Sequence, residues 1–129
     1  MSSTSILVVD DAATVRLYHG SILREAGFDV AEAANGLEAL ETALAQPFAL
    51  MVVDVNMPRM DGYQLVAHVR RDAGPNRATP IVMVSTESEA ADADAAYAAG
   101  ANVYLSKPVQ ATELVGYATA LTGAAEAVS

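Results

Sequence analysis

Short apolar runs alternate with longer amphipathic segments along the whole chain. This alternation is typical of repeated βαβ units, which build a parallel sheet with helices between the strands. The pattern predicts an α/β fold with five strands, near Ser5 to Val9, Asp29 to Glu32, Ala49 to Val53, Pro80 to Val84 and Asn102 to Leu105.

Apolar positions three or four residues apart indicate the inward face of each predicted helix. For the first three helices these positions are Val15, Tyr18, Ile22 and Ala26, then Leu37, Leu40 and Leu44, then Leu65, Val66 and Val69. The fifth helix, about Ala111 to Leu121, offers Leu114, Ala118 and Leu121 and ends near Gly123, as the first ends near Gly27. The fourth helix, roughly Ser88 to Ala99, offers mostly alanine, which buries little apolar area. We therefore expect it to be weakly anchored, which suits an element that must shift, although an alanine-rich composition across the whole protein explains the same pattern equally well.

Polar residues able to handle phosphate or metal follow four of the five predicted strands. Asp10 and Asp11 follow the first strand, Asp54 the third, Ser85 the fourth and Lys107 the fifth. Because the carboxyl ends of neighbouring parallel strands meet in one crevice, we expect these side chains to converge. The second strand runs instead into the turn pair Asn35-Gly36. A strand order of 2-1-3-4-5 explains this, because it places strand two at the edge of the sheet.

Length and composition limit which classes of function are possible. The chain of 129 residues suits one domain, which we predict to span residues 1–129 with flexible ends at 1–4 and 123–129. Sixteen acidic residues against seven basic ones give a net charge of −9, which disfavours contact with nucleic acid or anionic membrane. Cysteine is absent, and neither a signal sequence nor a membrane-spanning apolar run is visible. We expect a cytoplasmic monomer whose partners are proteins.

The predicted crevice has the chemistry of a magnesium site. Three carboxylates held close together repel one another unless a cation neutralises them. Oxygen ligands, without cysteine or a nearby histidine, favour Mg²⁺ over zinc or copper. Together with Mg²⁺ and Lys107, the carboxylates of Asp10, Asp11 and Asp54 reach formal neutrality. Such a site is ready to receive a phosphoryl group, and Lys107 and the Ser85 hydroxyl are the donors placed to bind it.

In this order and spacing, the motifs resemble those of one family across essentially the whole chain. An acidic pair follows strand one, and Asp54 is followed by Met57-Pro58-Arg59-Met60-Asp61-Gly62. A hydroxyl residue follows strand four and Lys107-Pro108 follows strand five. The chain therefore resembles the receiver domain of two-component response regulators. The resemblance implies a flavodoxin-like, doubly wound single domain with five parallel strands.

The resemblance also implies roles for individual residues. Asp54 is expected to accept a phosphoryl group from a sensor histidine kinase, and Asp10, Asp11 and the backbone carbonyl of Asn56 are expected to surround Mg²⁺ with it. Lys107 is expected to pair with the phosphate, and its bond to Pro108 to be cis.

The same resemblance implies a conformational switch and a tuned lifetime. Ser85 and the aromatic residue Tyr104 are expected to move on phosphorylation, with helix four, strand five and helix five as the readout face. Positions 56 and 87, here Asn56 and Glu87, tune dephosphorylation in this family, and the pairing predicts a short-lived phosphoryl group. Thr86 stands where the family usually has Ala or Gly, and its branched side chain could slow that hydrolysis.

Several of these residues have structural alternatives. Asp10 and Asp11 also suit the start of a helix, and Asp61-Gly62 suits a turn and helix cap. Thr86 could take the role of Ser85, and Tyr104 is as compatible with filling the core as with switching. His19 and His68 are interpreted as structural rather than catalytic.

Functionally, the sequence predicts a single-domain response regulator that acts through a protein partner, with chemotaxis and the flagellar motor switch as the leading target. No enzymatic activity is expected beyond self-phosphotransfer and autodephosphorylation. A phosphorelay intermediate or a phosphate sink fits the same pattern. A small aspartate-nucleophile phosphohydrolase is disfavoured, because its nucleophile follows the first strand. A flavin binder is disfavoured because acids stand where it needs a Ser, Thr and Gly-rich loop.

Overall fold

A computed structural model describes residues 4–72, 74–87 and 89–123. Strands and helices alternate, as the βαβ pattern predicts. The strands are β1 (Ser5–Val9), β2 (Asp29–Ala33), β3 (Leu50–Asp54), β4 (Ile81–Ser85) and β5 (Val103–Ser106). The α-helices are α1 (Ala13–Glu25), α2 (Gly36–Ala45), α3 (Gly62–Asp72), α4 (Ala90–Ala99) and α5 (Ala111–Thr122), and a short 3₁₀ turn spans Gly74–Asn76.

The five strands form one parallel sheet in the order β2-β1-β3-β4-β5. The predicted order and fold class are confirmed, and each strand lies within one residue of its predicted bounds. The register pairs Val9 with Val53 and Asp54 with Val84, which brings the carboxyl ends of the three central strands to one level. Polar residues at these ends therefore share one crevice.

Alternate residues of each central strand face opposite sides of the sheet and build two separate cores. One core contains Leu7, Val9, Met51 and Val53 together with residues of α2, α3 and α4. The other contains Ile6, Val8, Leu50 and Val52 together with residues of α1 and α5. Because both faces are covered, the central strands read as continuous apolar runs.

Helix α1 confirms part of its predicted inward face and corrects the rest. Ile22 is buried, but so are His19 and Leu23, while Tyr18 is 49% exposed. The Tyr18 hydroxyl donates a hydrogen bond to the Val109 carbonyl at 3.4 Å, so the ring lies at the edge of the helix rather than beneath it. Ala26 is exposed, and Gly27 has a φ of 99°, the left-handed conformation predicted for the end of this helix.

The predicted inward face of α2 is wrong. Leu37 is 61% exposed and Leu44 is 51% exposed, and Leu40 is only partly buried. The buried side of the helix consists of small residues, Gly36, Ala39 and Ala43. A Cβ atom at Gly36 would lie 2.8 Å from the Met60 sulfur, so the helix approaches its neighbours too closely for larger side chains.

The remaining helices follow the predictions closely. Leu65, Val66 and Val69 of α3 and Leu114 and Ala118 of α5 are buried, and α5 ends at Gly123 with a φ of 76°. In α4 only Ala96 is buried, in agreement with the predicted weak anchoring. Ser88 and the chain ends at 1–3 and 124–129 lie outside the described residues. None of the described helices is long and apolar enough to cross a membrane.

Candidate functional site

Three carboxylates meet at the carboxyl ends of β1 and β3. Asp10 and Asp11 follow β1 and Asp54 is the last residue of β3, so their closeness results directly from the pairing of these strands. One oxygen atom from each side chain lies within 4.8 Å of the others. Asp10 and Asp54 are buried, whereas Asp11 is exposed at the mouth of the crevice. The predicted acidic cluster is therefore present.

Lys107 enters this cluster from the end of β5. Its Nζ atom donates to Asp10 Oδ2 at 3.0 Å and to Asp54 Oδ1 at 2.8 Å. Its backbone N–H donates to the carbonyl of Ser85 at 2.6 Å, and its peptide bond to Pro108 is cis, as predicted. One ammonium thus bridges two buried carboxylates.

The site is electrostatically unbalanced. Burial raises the pKa of Asp54, and the neighbouring charge of Asp10 raises it further. Hydrogen bonds from Lys107 and from the Asn56 backbone oppose that rise without cancelling it. For Lys107, burial lowers the pKa, but the hydrogen bonds to Asp54 and Asp10 outweigh burial and the pKa is raised. Asp54 therefore favours its protonated form chiefly because it is buried, and Lys107 favours its protonated form because it faces two acids.

Ser85 and Tyr104 lie beside the crevice and contact the same peptide segment. The buried Ser85 hydroxyl oxygen accepts a hydrogen bond from the Glu87 backbone N–H at 3.0 Å. The Tyr104 hydroxyl donates to the Glu87 carbonyl at 2.8 Å, so its side chain is directed toward the β4–α4 loop and not toward the carboxylates. Glu87 therefore joins both predicted switch residues through its main chain.

The sequence analysis missed the residues that hold Asp10 in place. The Ala12 backbone N–H donates to Asp10 Oδ1 at 2.9 Å, and Arg16 Nη1 donates to the Asp10 carbonyl at 2.6 Å. Arg16 also pairs with Glu32 on β2 at 3.2 Å, and Glu32 pairs with Arg24 at 2.9 Å. The sequence does contain a signal that could have identified Arg16. This residue begins the second turn of a helix that starts beside the acidic pair, so its side chain can reach Asp10.

The Asp61-Gly62 motif is a turn and helix cap, in agreement with its structural interpretation. Asp61 Oδ1 accepts from the Gln64 backbone N–H at 2.8 Å, and Gln64 Oε1 accepts from the Asp61 N–H at 3.0 Å. A Cβ atom on Gly62 would lie 2.8 Å from Val55 Cα. Glycine thus lets α3 begin directly against the segment that follows Asp54.

The other predicted residues lie around the site without joining the cluster. Asn56 is exposed, as are Thr86 and Glu87. Thr86, His19 and Lys107 line a cavity of about 330 Å³ between α1 and the β5–α5 loop. His19 is buried and its Nδ1 atom has no hydrogen-bond partner within the described part of the chain, whereas His68 lies half-buried on α3.

Comparison with known proteins gives the same picture. Residues 6–119 match the response regulator receiver domain family. The chain is 32% identical to Protein PilG of Pseudomonas aeruginosa over 111 residues. The aligned region covers 86% of this chain and 82% of PilG. The chemotaxis protein CheY4 of Vibrio cholerae superposes with a TM-score of 0.87 at 33% identity, covering 93% of this chain and 99% of CheY4.

A third relative shows a metal in the corresponding fold. The receiver domain of the sensor histidine kinase PA1611 from Pseudomonas aeruginosa superposes with a TM-score of 0.87 at 27% identity, covering 95% of this chain and 99% of that domain. Its structure contains a magnesium ion coordinated in the active-site cleft.

The parallel α/β sheet, its acidic crevice and the family match together define the class of protein as a response regulator receiver domain. The chain belongs to the response regulator receiver domain family, and it is a receiver domain of two-component signalling. Receiver domains take phosphate from histidine kinases and act on downstream targets. They are signalling switches rather than classical enzymes.

Proposed function

We propose that this chain acts as a response-regulator receiver that accepts a phosphoryl group on Asp54 and signals to a protein partner in chemotaxis. The observation that carries the proposal is the position of Lys107, whose ammonium lies within hydrogen-bond distance of both Asp54 and Asp10. This cation is already placed where charge would develop on a phosphoryl group joined to Asp54.

The acidic cluster fits Mg²⁺. Its donors are all oxygen atoms, three of them lie within 4.8 Å of one another, and the single lysine leaves negative charge unneutralised. Asp10, Asp11 and Asp54 would hold the ion together with the backbone carbonyl of Asn56. The ion would supply electrostatic stabilisation of the phosphoryl oxygens.

In the proposed transfer step, Asp54 is the nucleophile. A carboxylate oxygen of Asp54 attacks the phosphorus of a kinase phosphohistidine, the new O–P bond forms as the P–N bond breaks, and the imidazole nitrogen keeps the electron pair and takes a proton from solvent. Lys107 donates to a phosphoryl oxygen, and it remains paired with Asp10. The product is an acyl phosphate on the buried end of β3.

The signal would pass through Ser85 and Tyr104. In the unphosphorylated protein the Ser85 oxygen accepts from the Glu87 N–H, which leaves its own proton free to donate to a phosphoryl oxygen. Movement of Ser85 would displace Glu87, whose carbonyl holds the Tyr104 hydroxyl. Asn56 and Glu87 are exposed around the entrance, and we propose that they set a short phosphoryl lifetime, which the exposed Thr86 would lengthen.

The chemotaxis role rests on similarity to the chemotaxis protein CheY4 of Vibrio cholerae. We propose that the protein is a cytoplasmic monomer that is phosphorylated by a sensor histidine kinase and binds a flagellar motor switch protein. Its net charge of −9 disfavours nucleic acid and anionic membrane as targets.

Incubation with acetyl phosphate and Mg²⁺, followed by mass spectrometry, tests the chemistry. Wild-type protein should gain one phosphoryl group, and Asp54→Asn should gain none. Asp61→Asn is the matched control, because it changes a carboxylate of the same loop and keeps a capping side chain. A gain that persists in Asp54→Asn contradicts the proposal, and turnover of many small phosphate esters would indicate a hydrolase.

The partner is tested separately with the phosphorylated protein. Binding to purified motor switch protein that strengthens on phosphorylation supports the chemotaxis role. Transfer of the phosphoryl group to the histidine of a phosphotransfer domain would indicate a relay intermediate instead. Neither binding nor transfer, with rapid loss of phosphate, would indicate a sink.

A further inference from the structure

Helix α4 is attached to the rest of the molecule by few apolar contacts. Ala96 is its one buried residue within the described part of the chain, and Ala99 packs against the core only partly. Alanine buries little apolar area, so packing contributes weakly to the position of this helix. Its hydrogen bonds to other elements therefore decide where it sits.

The carboxyl end of α4 is held firmly by Arg70 of α3. Arg70 Nε donates to the Gly100 carbonyl at 2.9 Å, and the same guanidinium donates to the Thr79 carbonyl at 2.7 Å and to Asn102 Oδ1 at 2.9 Å. Gly100 has a φ of 117°, and a Cβ atom there would lie 2.7 Å from Arg70 Cγ. A charged, multiply bonded contact anchors this end.

The amino end of α4 has a much lighter attachment to α3. The Tyr63 hydroxyl donates to the Asp92 carbonyl at 3.3 Å. The first turn is otherwise closed on itself, because Glu89 and Asp92 form a reciprocal capping box. Among the described residues, one neutral hydrogen bond thus fastens this first turn to α3.

Tyr63 is also a neighbour of the predicted switch residue. Tyr63 and Tyr104 are partly buried against the same core, the one that contains Ala96. Burial raises the pKa of Tyr63, and interaction with the Tyr104 side chain raises it further. The two side chains thus pack against the same core, with the Tyr63 hydroxyl bonded to Asp92 of α4 and the Tyr104 hydroxyl bonded to Glu87 in the loop that leads into α4.

We propose that Tyr63 is a positioning residue for the phosphorylation switch, which holds the first turn of α4 and the Tyr104 side chain in the unphosphorylated arrangement. The inference rests on the proposed function, because it takes Tyr104 to be the switch. Release of the Tyr63 hydrogen bond lets the amino end of α4 move, while Arg70 keeps the carboxyl end fixed. The readout face then changes by a pivot of α4 about Gly100.

Hydrogen exchange of the unphosphorylated protein tests the attachment. Tyr63→Phe removes the hydroxyl and keeps the ring. The amides of Glu87 and of residues 89–93 should exchange about fivefold faster, the effect of losing one neutral hydrogen bond. Amides around Gly100 should be unchanged. Tyr97→Phe is the matched control, since Tyr97 lies on α4, is 50% exposed and has no hydrogen-bond partner for its hydroxyl among the described residues.

Phosphorylation by acetyl phosphate in excess Mg²⁺ tests the coupling to the switch. Because Tyr63→Phe should populate the released arrangement more often, its phosphorylation rate should rise by a similar factor, and that of Tyr97→Phe should not. Exchange that stays at the wild-type rate, or that rises uniformly along the chain, overturns the inference, as does an unchanged phosphorylation rate. A wild-type protein that takes no phosphoryl group at all overturns the proposed function instead.

Discussion

At the scale of single residues, the acidic cluster has a cost for the stability of the fold. Asp10 and Asp54 are both buried, and one ammonium, that of Lys107, serves both. The raised pKa of Asp54 means that its charged form is less favourable in the folded protein than in the unfolded chain. The contribution of Asp54 to folding stability is therefore least favourable above its pKa in the folded protein, and it improves as the pH falls through that value.

Asp54→Asn should consequently stabilise the metal-free protein at neutral pH, by about 1 kcal/mol. The substitution removes one of two buried carboxylates and leaves Lys107 paired with Asp10. Urea unfolding at pH 7.5 with a chelator measures the difference, which should shrink in acid, where wild-type Asp54 is protonated. A variant less stable than wild type at pH 7.5 would contradict this account.

His19 gives the opposite dependence on pH. Burial lowers its pKa below 6.5, and although Asp10 opposes this, Lys107 adds to it. The unfolded chain therefore binds a proton at His19 more readily than the folded protein does. As the pH falls below 6.5, His19 lowers the free energy of unfolding by at most about 1.4 kcal/mol per pH unit. Between pH 7.5 and 5.5, His19→Leu should lose less stability than wild type. A His19→Leu curve parallel to that of wild type would refute the prediction.

At the scale of elements, α2 shows why apolar periodicity identifies a helix without identifying its buried side. Its sequence carries a leucine stripe and a stripe of small residues, and each recurs at helical spacing. The small stripe is the buried one, and a Cβ atom at Gly36 would lie 2.8 Å from the Met60 sulfur, so leucine could not take that place. The periodicity of α3 was unambiguous, since its other side is polar, and that prediction is confirmed.

Truncation of leucines in α2 and α3 should therefore have unequal effects. Leu65→Ala removes a fully buried side chain and should cost about 3 kcal/mol of unfolding free energy. Leu37→Ala removes a side chain that is 61% exposed and should change stability by no more than about 0.5 kcal/mol. Denaturant unfolding of the two variants side by side decides the matter, and equal losses would place Leu37 in the core.

At the scale of the whole molecule, the location of the site could be predicted because parallel strand order alone places Asp10, Asp54, Ser85 and Lys107 at one edge. The bridging of two carboxylates by Lys107 could not be predicted, because it depends on how the β5–α5 loop directs the long lysine side chain. The same holds for the Glu87 backbone, whose bonds to Ser85 and Tyr104 depend on loop conformation rather than on residue type. Strand endings were thus predictable, and loop-mediated contacts were not.

The acidic cluster of Asp10, Asp11 and Asp54 exists only in the folded protein. An Mg²⁺ ion bound there should therefore stabilise the protein against unfolding. At a free concentration ten times the dissociation constant, the expected gain is about 1.4 kcal/mol, since the unfolded chain lacks the assembled cluster. Thermal or urea unfolding with MgCl₂ measures it, against NaCl of equal ionic strength, which only screens the net charge of −9. Asp54→Asn, lacking one carboxylate of the cluster, should gain less from Mg²⁺ than wild type does. Equal stabilisation by the two salts would mean that Mg²⁺ acts on the surface charge and not in the crevice.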